Sequence, residues 1–110
     1  MNFFEIHNIE LPSIEDADNS NNPTVVCKFT NGDWEWFVIG GKELSNGDFY
    51  LYCLVNGFEK ELGMASLNEI LNTGAVLDVT FKPIGVFDIF EDFDLRSMIG
   101  AWYLWQKKLI

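Results

Sequence analysis

A chain of 110 residues with 17 acidic against seven basic side chains carries a formal charge of −10. That balance excludes a face basic enough to hold nucleic-acid phosphates and disfavours an anionic membrane surface. Its 48% hydrophobic and 15% aromatic content suits one packed domain, residues 1–110. No apolar run reaches the ~18 residues of a membrane span. The stretch from Met1 to His7 lacks the basic and long apolar parts of a secretory leader, so a cytoplasmic protein is expected.

In chain order, Phe3, Phe4, Ile6, Ile9 and Leu11 are spaced apolar positions, and Ile9-Glu10-Leu11 alternates like a short edge strand that Pro12 stops. Residues 13–23 are polar and turn-rich and read as a surface loop. A strand is predicted over Thr24–Thr30, with Val25, Cys27 and Phe29 on one face, followed by an Asn31-Gly32-Asp33 turn. The next strand, Trp34–Ile39, puts Trp34, Trp36 and Val38 on one face and Glu35, Phe37 and Ile39 on the other. Gly40-Gly41 marks a bulge or bend. Ser45-Asn46-Gly47-Asp48 is a hairpin turn. The aromatic run Phe49–Val55 then meets Asn56-Gly57, a pair that tolerates the positive φ of a type I′ turn. Turns at such short intervals predict a sequential meander.

Ser66-Leu67-Asn68-Glu69 has the form of a capping box, opening a helix over 67–73 that Gly74 ends in the left-handed conformation. Ala75–Lys82 alternates like a half-buried strand, closed by Pro83. Residues 84–110 form a C-terminal extension. In it Leu95, Met98, Ile99, Trp102, Trp105 and Leu109 recur at helical spacing. The expected fold class is therefore α+β: an antiparallel meander sheet of four to six strands, one short helix, and a C-terminal helix packed on one face.

The chain carries little reactive chemistry. Cys27 and Cys53 are expected as small buried thiols, and a disulfide stays open if neighbouring strands bring their Cα atoms within ~7 Å. His7 is the only histidine and no metal-ligand spacing surrounds it, so neither metal nor cofactor is expected. Glu35, Asp48, Glu59, Glu61 and Asp78 are the residue type of a glycosidase-like carboxylate pair, which keeps an enzyme as an alternative reading.

The acidic run is informative in two ways. Asp88, Glu91, Asp92 and Asp94 alternate with Phe87, Ile89, Phe90 and Phe93. As structure, the carboxylates cap the terminal helix. As function, they form a partner-binding patch, joined by Tyr103, which falls off the apolar stripe. The partner they fit is a basic protein surface, with a host nucleic-acid-binding protein as the specific case and no direct contact to nucleic acid.

The motifs Ile9-Glu10-Leu11-Pro12, Val25–Phe29, Asp33-Trp34-Glu35-Trp36-Phe37, Asp48-Phe49-Tyr50 and Glu61-Leu62-Gly63 with Ser66-Leu67, closing on Asp78–Pro83, resemble a family of small domains of unknown function carried on plasmids and phages. The resemblance spans residues 9–83. It departs at Met64, where the family often has an aromatic, and at Leu77, where it often has a basic residue. It implies a mobile genetic element as context and transfers no catalytic residue. With the acidity, it leads to a non-enzymatic protein-binding module that inhibits a host defence system of the restriction or CRISPR type by imitating nucleic acid. A toxin-neutralising immunity protein is the alternative of similar size and charge.

Overall fold

A computed structural model describes residues 1–89. Its elements are α1 (Phe3–Ile6), α2 (Ile14–Asn19), β1 (Thr24–Val25), β2 (Cys27–Asn31), β3 (Trp34–Glu43), β4 (Phe49–Asn56), β5 (Lys60–Ser66), α3 (Leu67–Asn72), β6 (Val76–Leu77), β7 (Ile84–Gly85) and α4 (Val86–Ile89). The class is α+β. Strands β2 to β5 form an antiparallel meander, and β6 returns to the far edge, giving the order β5-β4-β3-β2-β6. β1 and β7 pair as a separate antiparallel ribbon. The expected terminal helix, with its stripe from Leu95 to Leu109, lies outside the described residues. No helix among the described residues is long and apolar enough to cross a membrane.

The β2–β3 turn has Gly32 at φ +57° in a two-residue loop between paired Asn31 and Trp34. This is the position where a left-handed residue matches strand twist. Gly47 at φ +88° serves the β3–β4 turn, where the Leu44 and Gly47 amides bond the carbonyls of Asp48 and Leu44. The bulge falls at Gly40: Val38 pairs with Cys53 but Gly40 with Tyr52, leaving Ile39 extra.

The alternation of side chains gives two apolar layers. One face of the sheet buries Cys27, Phe29, Trp36, Val38, Leu51 and Cys53 beneath Phe4 of α1 and Leu67 and Ile70 of α3. The other buries Phe37, Ile39, Tyr52, Leu54 and Leu62 beneath Ala17 of α2, Val25 of β1 and Val86 of α4. A sheet covered on both faces explains why β3 and β4 are nearly continuous apolar runs rather than strict alternations.

Several expectations are corrected. Residues 13–23 are not simply a loop, because Ser13 accepts the Asp16 amide at 3.0 Å and caps α2, whose Ala17 is buried. Residues 9–11 form no strand; instead Pro12 offers its carbonyl to the Gly41 amide at 2.9 Å. Predicted strand 75–82 stops at Leu77, because Asp78 accepts both the amide and the hydroxyl of Thr80 and turns the chain. Val79 is consequently 80% exposed. The start of the C-terminal extension is part of the fold: Ile84–Gly85 pairs with β1, and Val86 is fully buried. Cys27 and Cys53 both pair with Val38 from opposite sides. One intervening strand places them about 9–10 Å apart, too far for a disulfide. Both are free, and burial pushes the Cys27 thiol up to about 12 and that of Cys53 further up.

The helix at 67–72 opens as predicted on Ser66, whose Oγ accepts the Glu69 amide at 3.1 Å. The partner that completes the cap is Asp48. Its carboxylate accepts the Ser66 hydroxyl at 2.7 Å, the Asn68 amide at 3.0 Å and the Phe49 amide at 2.7 Å. Gly74, at φ +90°, ends the helix. Ser66→Ala is expected to cost about 1–2 kcal/mol in urea titrations, since it removes a cap and a partner of Asp48. Desolvation raises the Asp48 pKa, but these three hydrogen bonds outweigh it and hold the carboxyl below the usual range. A lowered folded pKa contributes stability above the unfolded value of about 3.9 and loses it as pH falls through the folded value. Stability is therefore expected to fall from pH 5 to pH 2, and to fall less steeply in Asp48→Asn.

Candidate interaction surface

The loops 32–33 and 57–59 emerge at the same end of the sheet, because Glu35 pairs with Asn56 across β3 and β4. Trp34 lies at the start of β3 on the face that buries Trp36 and Val38. It stacks on Trp36 at 6.1 Å between ring centroids and meets Phe58 edge-on at 5.5 Å and 82°. Trp36 is buried, Trp34 is 37% exposed and Phe58 is 94% exposed. The three rings form a graded ladder from core to solvent.

Gly57 holds this ladder together in a way the sequence did not indicate. Its φ is not positive, and the connection is the three-residue loop Gly57–Glu59 with the Gly57 amide bonded to the Glu59 carbonyl at 3.2 Å. The type I′ turn is therefore absent. Gly57 is needed for close approach: a Cβ there would run into the six-membered ring of Trp34, 2.6 Å from its Cε3 and Cη2. Gly57→Ala is expected to push Trp34 off the loop, seen as a red-shifted emission and altered near-ultraviolet circular dichroism with the sheet retained.

Three carboxylates lie at the same end of the sheet as the rings. Asp33 and Glu59 are exposed and adjoin Trp34 and Phe58 in the chain, and exposed Glu61 shares their sheet face, opposite Val55. The cations among the described residues lie elsewhere. The described residues contain four lysines and no arginine. By strand alternation Lys28 and Lys60 project from the opposite face. Lys42 pairs with Tyr50 at the far end of the sheet, and Lys82 follows Phe81, which packs on Phe37 of the opposite face. Lys28 is further held in a salt bridge to Glu35 at 2.8 Å and sits over the Phe37 ring. For Glu35, burial raises the pKa, but Lys28 and the Asn56 amide donor at 2.8 Å together bring it below the usual carboxylate range.

Of the residues singled out for partner binding, Asp88 is exposed on α4, and its Oδ2 accepts the Asn22 amide group at 3.4 Å. It belongs to the opposite face from Trp34. Glu91, Asp92, Asp94 and Tyr103 lie outside the described residues. The five carboxylates weighed for glycosidase-like chemistry do not gather as one group. Glu35 and Asp48 sit at opposite ends of the sheet, the first in the Lys28 pair and the second capping α3. Asp78 is engaged by Thr80, and Glu59 and Glu61 flank the aromatic end.

A separate hollow of about 720 Å³ is lined by His7, Glu10, Leu11, Ser13, Asp16 and Phe81 among others. It collects residue types that the sequence left scattered, but the Ser13 hydroxyl there is occupied in capping α2. No group of three or more His, Cys, Asp or Glu among the described residues is arranged to hold a metal ion. Comparison of the chain with protein families, with curated proteins and with solved structures gave no match.

Proposed function

We propose that this chain is a non-enzymatic, acidic protein-binding module of a phage or other mobile genetic element. The observation that carries the reading is the exposed Trp34–Phe58 pair flanked by Asp33, Glu59 and Glu61, on a chain of net charge −10. Exposed aromatic anchors with a polar rim are the usual energetic centre of a protein interface. An excess of carboxylates steers a basic partner and repels nucleic acid. The mobile-element context rests on the family resemblance of residues 9–83. Its specific version is inhibition of a host defence nuclease by occupying a surface that otherwise holds phosphates. Asp88 and the acidic run to Asp94 add to the chain's net negative charge.

The test is expression of the chain in bacteria with an active restriction or RNA-guided nuclease system, scored by phage plating. The expected result is a rise of tenfold or more, lost with Trp34→Ala and Phe58→Ala together. Unchanged plating in each system tried would contradict the defence-inhibition version.

A further inference from the structure

We infer that the corner between Trp34 and Phe58 is a seat for an arginine side chain of the partner protein. This rests on the protein-binding reading and names the group that would be recognised. Two rings meet at 82° with centroids 5.5 Å apart, so together they form two walls of an open corner. Phe58 is 94% exposed, which leaves its faces uncovered, and the Trp34 ring is held in place by Gly57 and Trp36 behind it. The Trp34 wall is therefore fixed at the strand start and needs little ordering when a ligand arrives, while Phe58 closes the corner from the 57–59 loop.

The chemistry of the rim selects the occupant. Asp33, Glu59 and Glu61 are exposed beside the rings, while Lys28 and Lys60 project from the opposite face and Lys42 lies at the other end of the sheet. A purely apolar partner would desolvate these carboxylates without pairing them, which is costly. A guanidinium satisfies both halves of the surface: it stacks flat on an aromatic face and gives a carboxylate two parallel N–H···O bonds. A lysine ammonium meets the same charges but is more strongly hydrated and lacks the planar stack.

The experiment is a titration of the isotope-labelled full chain with acetyl-Arg-Gly-Arg-amide, followed by amide and indole resonances. Saturable shifts are expected at the Trp34 indole N–H and at residues 57–59. Binding should be several-fold weaker for the lysine peptide and undetectable for glutamine and leucine peptides. Phe58→Leu keeps an apolar side chain at an exposed position, so the fold is retained, and it should weaken arginine-peptide binding about 2- to 30-fold, the range of a cation–π contact. Equal shifts with the leucine peptide would overturn the proposal in favour of a plain apolar contact. Equal shifts around the remote acids Glu5, Glu43 and Glu69 would overturn it in favour of diffuse charge. Concentration-dependent shifts at the corner without peptide would assign it to a second copy of the chain and overturn it too. The two readings fail separately. Salt-sensitive partner binding that survives in Phe58→Leu, with no response to the arginine peptide, removes the arginine seat alone. A corner that binds the arginine peptide, in a chain that leaves phage plating unchanged in each system tried, removes the defence-inhibition reading alone.

Discussion

Phe29→Ala is expected to lower stability by about 3–5 kcal/mol, the cost of truncating a buried aromatic. Phe29 is fully buried in β2, faces Trp36 and Leu77 across its two ladders, and stacks with Phe3 of α1 at 5.8 Å. It thus joins the meander, the returning edge strand and the N-terminal helix. A domain of this size has only about 5–15 kcal/mol in total, so the variant should be partly unfolded near its melting midpoint well below that of the parent. Urea titration measures it. The contrast is Phe58→Ala, exposed at the hairpin tip, which should stay within ~0.5 kcal/mol of the parent. Equal losses at both positions would mean that the tip, too, is part of the core.

Among the described glycines, Gly41→Ala is expected to be the most damaging single methyl addition. A Cβ at this position would lie 2.7 Å from the Tyr50 carbonyl oxygen and 2.9 Å from Leu51 Cδ2. The first neighbour is backbone in the β3–β4 ladder, so it cannot turn aside as a side chain does. The Gly41 amide also ties down the Pro12 carbonyl at 2.9 Å, which anchors the segment between α1 and α2. Overpacking of this kind costs typically 1–3 kcal/mol and occasionally more. Gly63→Ala is the control, since nothing lies within 4 Å of its added methyl. A Gly41→Ala variant as stable as Gly63→Ala would show that the ladder at the bulge yields.

Features written locally in the chain were legible in its sequence. Gly32 and Gly47 in their turns, the bulge at Gly40, the Ser66 cap and the Gly74 stop each depend on residues a few positions apart. The alternation along β3 assigned Trp36 and Phe37 to opposite layers, where the structure places them. What escaped reading depends on competition or distance. α1 and α2 have cap signals in Asn2 and Ser13, but each helix is shorter than seven residues, and the turn-rich composition of 13–23 outweighs them. Asp78 looks like the polar member of an alternating strand until its carboxylate binds Thr80 instead. The β1–β7 ribbon joins residues about sixty apart, and no local pattern announces such a pairing. The role of Gly57 was misread for a related reason: Asn-Gly is a strong turn signal, whereas the demand met here comes from the Trp34 ring on another strand. The acidic rim was likewise invisible as a unit, because Asp33 and Glu59 are brought to one end only by the β3–β4 register.

Partner binding is expected to be local to the aromatic end of the sheet. Capture from a host lysate should be carried out side by side with three forms of the chain at two salt concentrations: the parent, Asp33→Asn/Phe58→Ala/Glu59→Gln, and Glu5→Gln/Glu10→Gln/Glu69→Gln. The prediction is a partner retained by the parent and by the third form, weakened by salt, and lost from the second. Retention of the same partner by all three forms, or equal loss from both variants, would contradict it.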